Sequence, residues 1–253
     1  MISPLREVAF DQEWYHILGK KHFWFKWRIA AALNQLNDLK IPLNAKLKVL
    51  EIGCGTGILR SALESMTQWT IDGADRNWEA LQQSESSRGK TLYYDIFDEH
   101  PSLAGTYDVI ILYDVLEHVS DTQPFLDSLL KHLAPGGLLL INVPALQIFY
   151  SVYDQRMGHV RRYTKKTLAE EFKPFEFQIN DMRYWGMNML PLLAVRQLIT
   201  SFMNPKAPSL VQLGFRPPNI FANSVLHLLM NVELLLYPKP PIGTSLLMIG
   251  RKL

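Results

Sequence analysis

The stretch that most limits what this chain can fold into is LKVLEIGCGTGILR, Leu47 to Arg60. An apolar run enters three glycines, Gly53, Gly55 and Gly57, and a helix-compatible segment follows at once. Glycines let backbone approach a ligand closely, and the helix N-terminus behind them favours an anionic group. Which ligand the loop takes can be narrowed by spacing. A triphosphate loop ends in Gly-Lys-Ser/Thr, whereas Gly57 is followed by Ile58 and Leu59. A dinucleotide loop reads G-x-G-x-x-G, whereas here the third glycine comes one residue early.

The second apolar run, QWTIDGAD, ends at Asp75, about 20 residues on, where an acid can accept hydrogen bonds from a ribose diol. Glu51 and Asp114, near two other strand ends, would suit a positive charge. The loop therefore asks for a ribose with free hydroxyls, a carboxylate and a cationic centre together.

Beyond the loop, short apolar runs alternate with helical segments. KVLEIG, QWTIDGAD, KTLYYDI, YDVIILYD and GGLLLINVP read as strands buried on both faces, with ILRSALESM, NWEALQQSES and TQPFLDSLLKHL as helices between them. Such alternation predicts a doubly wound, Rossmann-like α/β fold. FEFQINDMRYW and TSLLMIGRK add two strands, giving a mostly parallel seven-stranded sheet with helices on both faces. The expected division is a single domain: an N-terminal helical cap over 1–44, a cofactor-binding core over 45–186, a helical insertion or lid over 187–240 and a closing strand over 241–253.

VLEIGCGTG resembles the first motif of the class I S-adenosylmethionine-dependent methyltransferases, and further motifs follow in that family's order. Asp75 in DGADRN resembles the ribose-binding acid, with Arg76 beside it. Asp95 and Ile96 in YYDIFD match the position that contacts the adenine. YDVIILYDVLEHV resembles the fourth-strand motif, with Tyr113 lining the cofactor pocket, and LAPGGLLLINVP resembles the fifth. The resemblance implies that S-adenosylmethionine is the cofactor and S-adenosylhomocysteine the product, held by Glu51, Gly53, Cys54, Gly55, Gly57, Asp75, Arg76, Asp95, Ile96 and Tyr113. Cys54 is expected to offer only its backbone.

The acceptor should meet the loops after the fourth and fifth strands. DVLEHV there resembles the ubiquinone-pathway O-methyltransferases, and in some relatives an acid-x-x-acid-His pattern at this place ligates a divalent metal. Such an ion would need a further ligand, and only His159 offers itself, so no metal is expected. His118 and His159 are the candidate general bases, because a neutral imidazole accepts a hydroxyl proton near neutral pH. The polar stretch YDQRMGHVRRYT supplies Asp154, Arg162 and Tyr163 as candidate acceptor-binding residues, the arginines suiting an anion such as phosphate. Methyl transfer to oxygen is preferred, since no N-P-P-Tyr-like motif follows the fourth strand. C- or N-methylation and a non-catalytic scaffold remain as alternatives.

Around this site the sequence constrains less. His22, Trp24 and Arg28 could share one helix edge, either capping the cofactor or packing on the sheet. In SVLHLLMNVELLL, Val225, Leu228, Leu229, Val232, Leu235 and Leu236 fall on one apolar face, expected to serve as core or acceptor pocket. A net charge of +2 gives no reason to expect a nucleic-acid partner. The single cysteine, the lack of a leader-like apolar segment at the N-terminus and the absence of about 18 uninterrupted apolar residues point to a cytoplasmic location. Peripheral contact at the inner membrane face is the alternative, and a small or lipid-linked acceptor is the expected partner. The oligomeric state is not legible.

Overall fold

A computed structural model of the chain describes residues 1–5, 23–202 and 220–253. The first half of the expected N-terminal helix, with His22, and the middle of the expected insertion, with Pro205, Pro208, Pro217 and Pro218, lie outside the described residues.

Seven strands form one sheet. They are β1 (Lys48–Ile52), β2 (Thr70–Asp75), β3 (Thr91–Tyr93), β4 (Tyr107–Tyr113), β5 (Leu133–Pro144), β6 (Phe177–Trp185) and β7 (Ser245–Lys252), in the order β3-β2-β1-β4-β5-β7-β6. The first five run parallel, and β7 inserts antiparallel between β5 and β6. The order reverses beside β1, so the crevice outside the carboxyl ends of β1 and β4 is the switch point where such sheets bind ligands. Val49, Leu50, Ile110 and Ile111 are fully buried, as strands covered on both faces require.

Helices α1 (Phe23–Asp38), α2 (Ile58–Met66), α3 (Trp78–Gln82), α4 (Thr122–His132), α5 (Val152–Arg156), α6 (Lys165–Phe172), α7 (Leu190–Thr200) and α8 (Ile220–Leu236) accompany the sheet, with short 3-10 turns such as Leu116–His118 between elements. One helix and one strand differ in extent from what the sequence suggests. α3 stops at Gln82 rather than running through QQSES, and β5 begins at Leu133 because Leu133 already pairs with Tyr107. The 146–163 segment, expected as a loop, contains α5, started by a capping box in which Ser151 and Asp154 bond each other's backbone.

The insertion lies between β6 and β7, as expected, but its buried face is different. Met230 and Glu233 are buried in α8 and Leu229 packs partly buried on the core, whereas Val225, Leu228, Val232, Leu235 and Leu236 are exposed. The carboxylate decides this: Glu233 accepts from the backbone N–H of Gly186 at 2.6 Å and of Asn188 at 2.9 Å, satisfying a turn that follows β6. Among the described residues no helix is long and apolar enough to cross a membrane.

Candidate active site

The glycine turn is built by backbone. Gly53 has φ +74°, and a Cβ there would stand 2.5 Å from Val115 Cγ2, so only glycine fits. Gly53 N and Cys54 N both donate to Ala74 O, at 2.8 and 3.2 Å, which fastens the turn to the end of β2. Gly55 N donates to Asp75 Oδ2 at 2.7 Å, and Asn77 N to Asp75 Oδ1 at 2.7 Å. Each carboxylate oxygen keeps a second lone pair, so Asp75 both shapes the loop and can accept from a ligand.

A cavity of about 540 Å³ opens above this turn, a size suited to a nucleoside-type ligand. Glu51, Gly53, Cys54 and Gly55 line one wall. Asp75, Arg76, Asp95 and Ile96 line the next, and Tyr113, Asp114 and His118 come from the end of β4. Phe25 and Arg28 of α1 close the top. Arg76 Nε lies 3.3 Å from Asp95 Oδ2, and Asp95 also accepts from Phe97 N.

Burial sets the charge of this wall. Glu51 is 4% exposed, and its Oε2 has no hydrogen-bond partner among the described residues. Burial pushes its pKa up to about 8, with Arg60 and Arg28 pulling the other way. A buried carboxyl with one oxygen unbonded, lining a cavity, is where a ligand cation would be rewarded most. Burial also raises Asp75 against the pull of its backbone donors, and raises the Cys54 thiol, which leaves Cys54 un-ionised.

Arg28 and Asp114 pair across the cavity edge. Asp114 has φ +56°, an uncommon value for a non-glycine residue, and it is held there from three sides. Its backbone N–H donates to Asn142 O, Asn142 Nδ2 donates to Asp114 Oδ1 at 2.6 Å, and Arg28 holds the other oxygen. Trp185 Nε1 in turn donates to Asn142 Oδ1 at 2.9 Å, tying the site to β6.

At the other end, the His118 and His159 rings meet edge to face, 4.8 Å between centroids. His118 Nδ1 lies 3.2 Å from Gly158 O, and His159 Nδ1 lies 3.0 Å from Asp154 Oδ1. Burial first, and the neighbouring His159 second, lower the His118 pKa to about 4. A carboxylate oxygen of Glu117 and a ring nitrogen from each histidine lie within 4.8 Å of one another.

Comparison with known proteins decides what this cavity belongs to. A profile described as a methyltransferase domain matches residues 24–181, well over half of the chain. The chain belongs to the methyltransferase domain family. It is 32% identical over 100 residues to a ubiquinone biosynthesis O-methyltransferase of Caulobacter sp., covering 38% of this chain and 40% of that protein. It is 29% identical over 124 residues to the enzyme of the same name from Rickettsia prowazekii, covering 48% and 47%. The chain thus spans less than half the length of these relatives. A crystal structure of an S-adenosylmethionine-dependent methyltransferase from Mesorhizobium loti superposes with a TM-score of 0.57 at 14% identity, over 89% of this chain and all of that one. The fold is that of the class I methyltransferases, and S-adenosylmethionine is the cofactor the family uses.

Within this methyltransferase domain the candidate residues separate. Glu51, Gly53, Cys54, Gly55, Asp75, Arg76, Asp95, Ile96, Tyr113 and His118 line the cavity, whereas Gly57 and His159 do not. Gly57 has φ +73° and shapes the start of α2, its N–H donating to Cys54 O. His159 stands behind His118.

Asp154, Arg162 and Tyr163, the candidate acceptor-binding residues, do not line the cavity. All three are buried, at 0%, 6% and 1% exposure. Asp154 accepts from Arg162 Nε at 2.7 Å, from His159, and from the Ser151 backbone and hydroxyl. Burial works to raise its pKa, but the His159 bond and the Arg162 charge outweigh it and hold it near 2. Tyr163 donates to Glu171 and bridges the end of β5 through Ala145. The polar density that looked like a binding loop is an internal network.

The aromatic N-terminal helix divides between its two readings. Trp27 is fully buried and Trp24 stacks near Trp185, ring centroids 4.6 Å apart, while Phe25 and Arg28 face the cavity. Phe25 and Asn142 were missed in the sequence. Phe25 had a signal, its place three residues before Arg28 on a helix face. Asn142 had none beyond its place inside an apolar strand.

Proposed function

We propose that this chain transfers the methyl group of S-adenosylmethionine to an acceptor oxygen at the His118 end of the cavity. The observation that supports this is Glu51: a buried carboxyl, one oxygen of which has no hydrogen-bond partner among the described residues, in a cavity that Asp75 and His118 also line. When bound, S-adenosylmethionine supplies a methyl group already activated on a sulfonium. Asp75 accepts from the ribose hydroxyls, and Arg76 and Asp95 frame the adenine end. Glu51 faces the positive charge, Arg28 offers a cation for the carboxylate, and Tyr113 with Phe25 excludes water. His118, neutral above about pH 4, accepts a hydrogen bond from the acceptor hydroxyl and orients it. His159 backs the His118 ring, and Asp154 holds His159.

Oxygen is favoured because the relatives named above are O-methyltransferases and because the His118 end offers a hydrogen-bond acceptor to a hydroxyl. The acceptor class is a small or lipid-linked molecule. The exposed apolar faces of α7 and α8 support the lipid-linked form and a peripheral membrane contact. Calorimetry with S-adenosylhomocysteine tests the reading. Asp75→Ala should bind at least about tenfold more weakly, the worth of a charge-assisted hydrogen bond. Unchanged affinity would remove Asp75 from the ribose.

A second reading is favoured by Glu117. Its Oε2 is buried without a hydrogen-bond partner among the described residues, beside His118 and His159. One carboxylate and two imidazoles suit a divalent transition ion better than magnesium. The Nδ1 contacts of both rings to a carbonyl and a carboxylate are the outer partners such ligands use. An ion there would polarise the acceptor hydroxyl. Titration of chelator-treated protein with Mn²⁺ or Zn²⁺, with and without Glu117→Gln, decides it: no heat of binding in the unaltered protein rejects the ion.

A further inference from the structure

The internal network around Asp154 leaves one cation over. Arg196, on α7, lays its guanidinium on the ring of Tyr153, with Cζ 4.0 Å from the centroid. Tyr153 precedes Asp154, the residue that holds His159. Arg196 is half-buried, and among the described residues its guanidinium has neither an ion-pair nor a hydrogen-bond partner. Asp154 is the carboxylate whose charge acts on it, yet that carboxylate is already used by Arg162, His159 and Ser151. Desolvation of the guanidinium lowers its pKa, which is the mark of a charge held out of water without full compensation.

The setting of this charge is apolar. Arg196 is the sole charged residue of α7, LPLLAVRQLIT. Leu192 and Ile199 stand four residues before and three after it, so all three share one helix face, with Val195 alongside. These neighbours are exposed, Leu192 at 55%, Val195 at 54% and Ile199 at 47%. Gln197 Nε2 donates to Ile148 O at 3.1 Å and so brings Ile148, 79% exposed, to the same surface. One guanidinium flanked by exposed aliphatic side chains is complementary to an oxyanion carried on a hydrocarbon chain.

We propose that Arg196 anchors the anionic group of an amphiphilic acceptor, a phosphate ester or carboxylate on an apolar tail, with the tail lying along Leu192, Val195 and Ile199. The site continues the row that starts in the cavity: His118, His159, Asp154, Tyr153, Arg196. The inference rests on the methyl-transfer reading for its role but not for its test.

The test measures binding of dodecyl phosphate, dodecanoate, dodecanol and inorganic phosphate, each below micelle formation, to the full chain saturated with S-adenosylhomocysteine. Dodecyl phosphate or dodecanoate should bind at least about tenfold more tightly than dodecanol, from one charged hydrogen-bonded contact. Which of the two binds more tightly names the oxyanion. Arg196→Gln should abolish that preference and Arg196→Lys should keep part of it. Ile199→Ser should weaken dodecyl phosphate while leaving inorganic phosphate unchanged. Unaltered S-adenosylhomocysteine affinity in each variant shows that it is folded and keeps the cofactor reading separate. Equal binding of dodecyl phosphate and dodecanol, or full retention in Arg196→Gln, overturns the proposal. So does binding only to phosphatidylglycerol vesicles and not to the monomeric amphiphile, which would mark a membrane surface instead.

Discussion

Arg28 of α1 and Asp114 at the end of β4, 86 residues apart in sequence, meet as an ion pair on the rim of the cofactor cavity. The helix is thereby coupled to a non-glycine residue that follows β4 directly and whose backbone sits at a positive φ. The pair is partly screened by solvent, with side-chain exposures of 13% and 32%, so its value lies in placing α1 over the cavity rather than in raw stability.

Replacing Arg28 with Gln should therefore weaken S-adenosylhomocysteine by about tenfold, one lost charged contact, with little change in melting temperature. Calorimetry and a thermal scan on the same preparation check this. A large loss of melting temperature without loss of affinity would assign Arg28 to packing.

Glu51 makes cofactor binding pH-dependent. Its pKa is near 8 in the unliganded protein, so it is mostly protonated at pH 7, and a ligand cation would ionise it. Binding of S-adenosylmethionine at pH 7 should release close to one proton, and affinity should rise from pH 6 to 8. The linkage to folding has the opposite sign. A carboxyl whose pKa is raised in the folded state adds stability below its ordinary 4.5, and this is lost as pH rises through about 8. Calorimetry in buffers of different ionisation heat counts the proton, and Glu51→Gln should remove it.

Asp154 is a structural group, and its loss should show as instability. Asp154→Ala leaves the buried Arg162 without its counter-charge, at a cost of about 3 kcal/mol or more. Chemical denaturation measures it. A variant as stable as the unaltered chain, with weakened acceptor binding, would return Asp154 to the ligand-contacting role read from sequence.

His118 and His159 should not be equivalent. His118→Gln, which removes the group lining the cavity, should lower kcat by about 10²-fold while S-adenosylhomocysteine affinity stays the same. His159→Gln should have a smaller effect, since it acts through the His118 ring. Because the His118 pKa is lowered to about 4, turnover should stay flat on acidification well below 6.5 and fall only as pH approaches 4. Stability follows the same residue: between 6.5 and about 4 the unfolded chain binds the proton and the folded chain does not, so stability declines as pH falls through that window. His118→Gln should flatten that decline in a denaturant series taken at several pH values.

The local parts of the site were legible because they are short-range. Gly53 is needed by its own φ and by Val115 close above it, and Asp75 reaches the turn through a strand that pairs with β1. Their roles follow from strand, turn and helix in sequence order. The segment 146–163 is less legible for a physical reason: its composition is polar, but polarity does not say whether partners are water or protein. Asp154 and Arg162 satisfy each other, so their density reports a buried network. In α8 the apolar stripe pointed to one face, and a single carboxylate bonded to Gly186 and Asn188 turned the helix to another.

By itself, then, the sequence determined the alternating α/β sheet, the glycine turn and the class of cofactor, because hydrophobic period and backbone conformation are local properties. Only the tertiary structure decided that Arg28 lines the cavity, that His118 faces it with His159 behind, and that Arg196, among the described residues, has no ion-pair partner and stands beside exposed aliphatic side chains. Those are relations between segments far apart in the chain, and the burial that sets their charge states exists only once the sheet has brought them together.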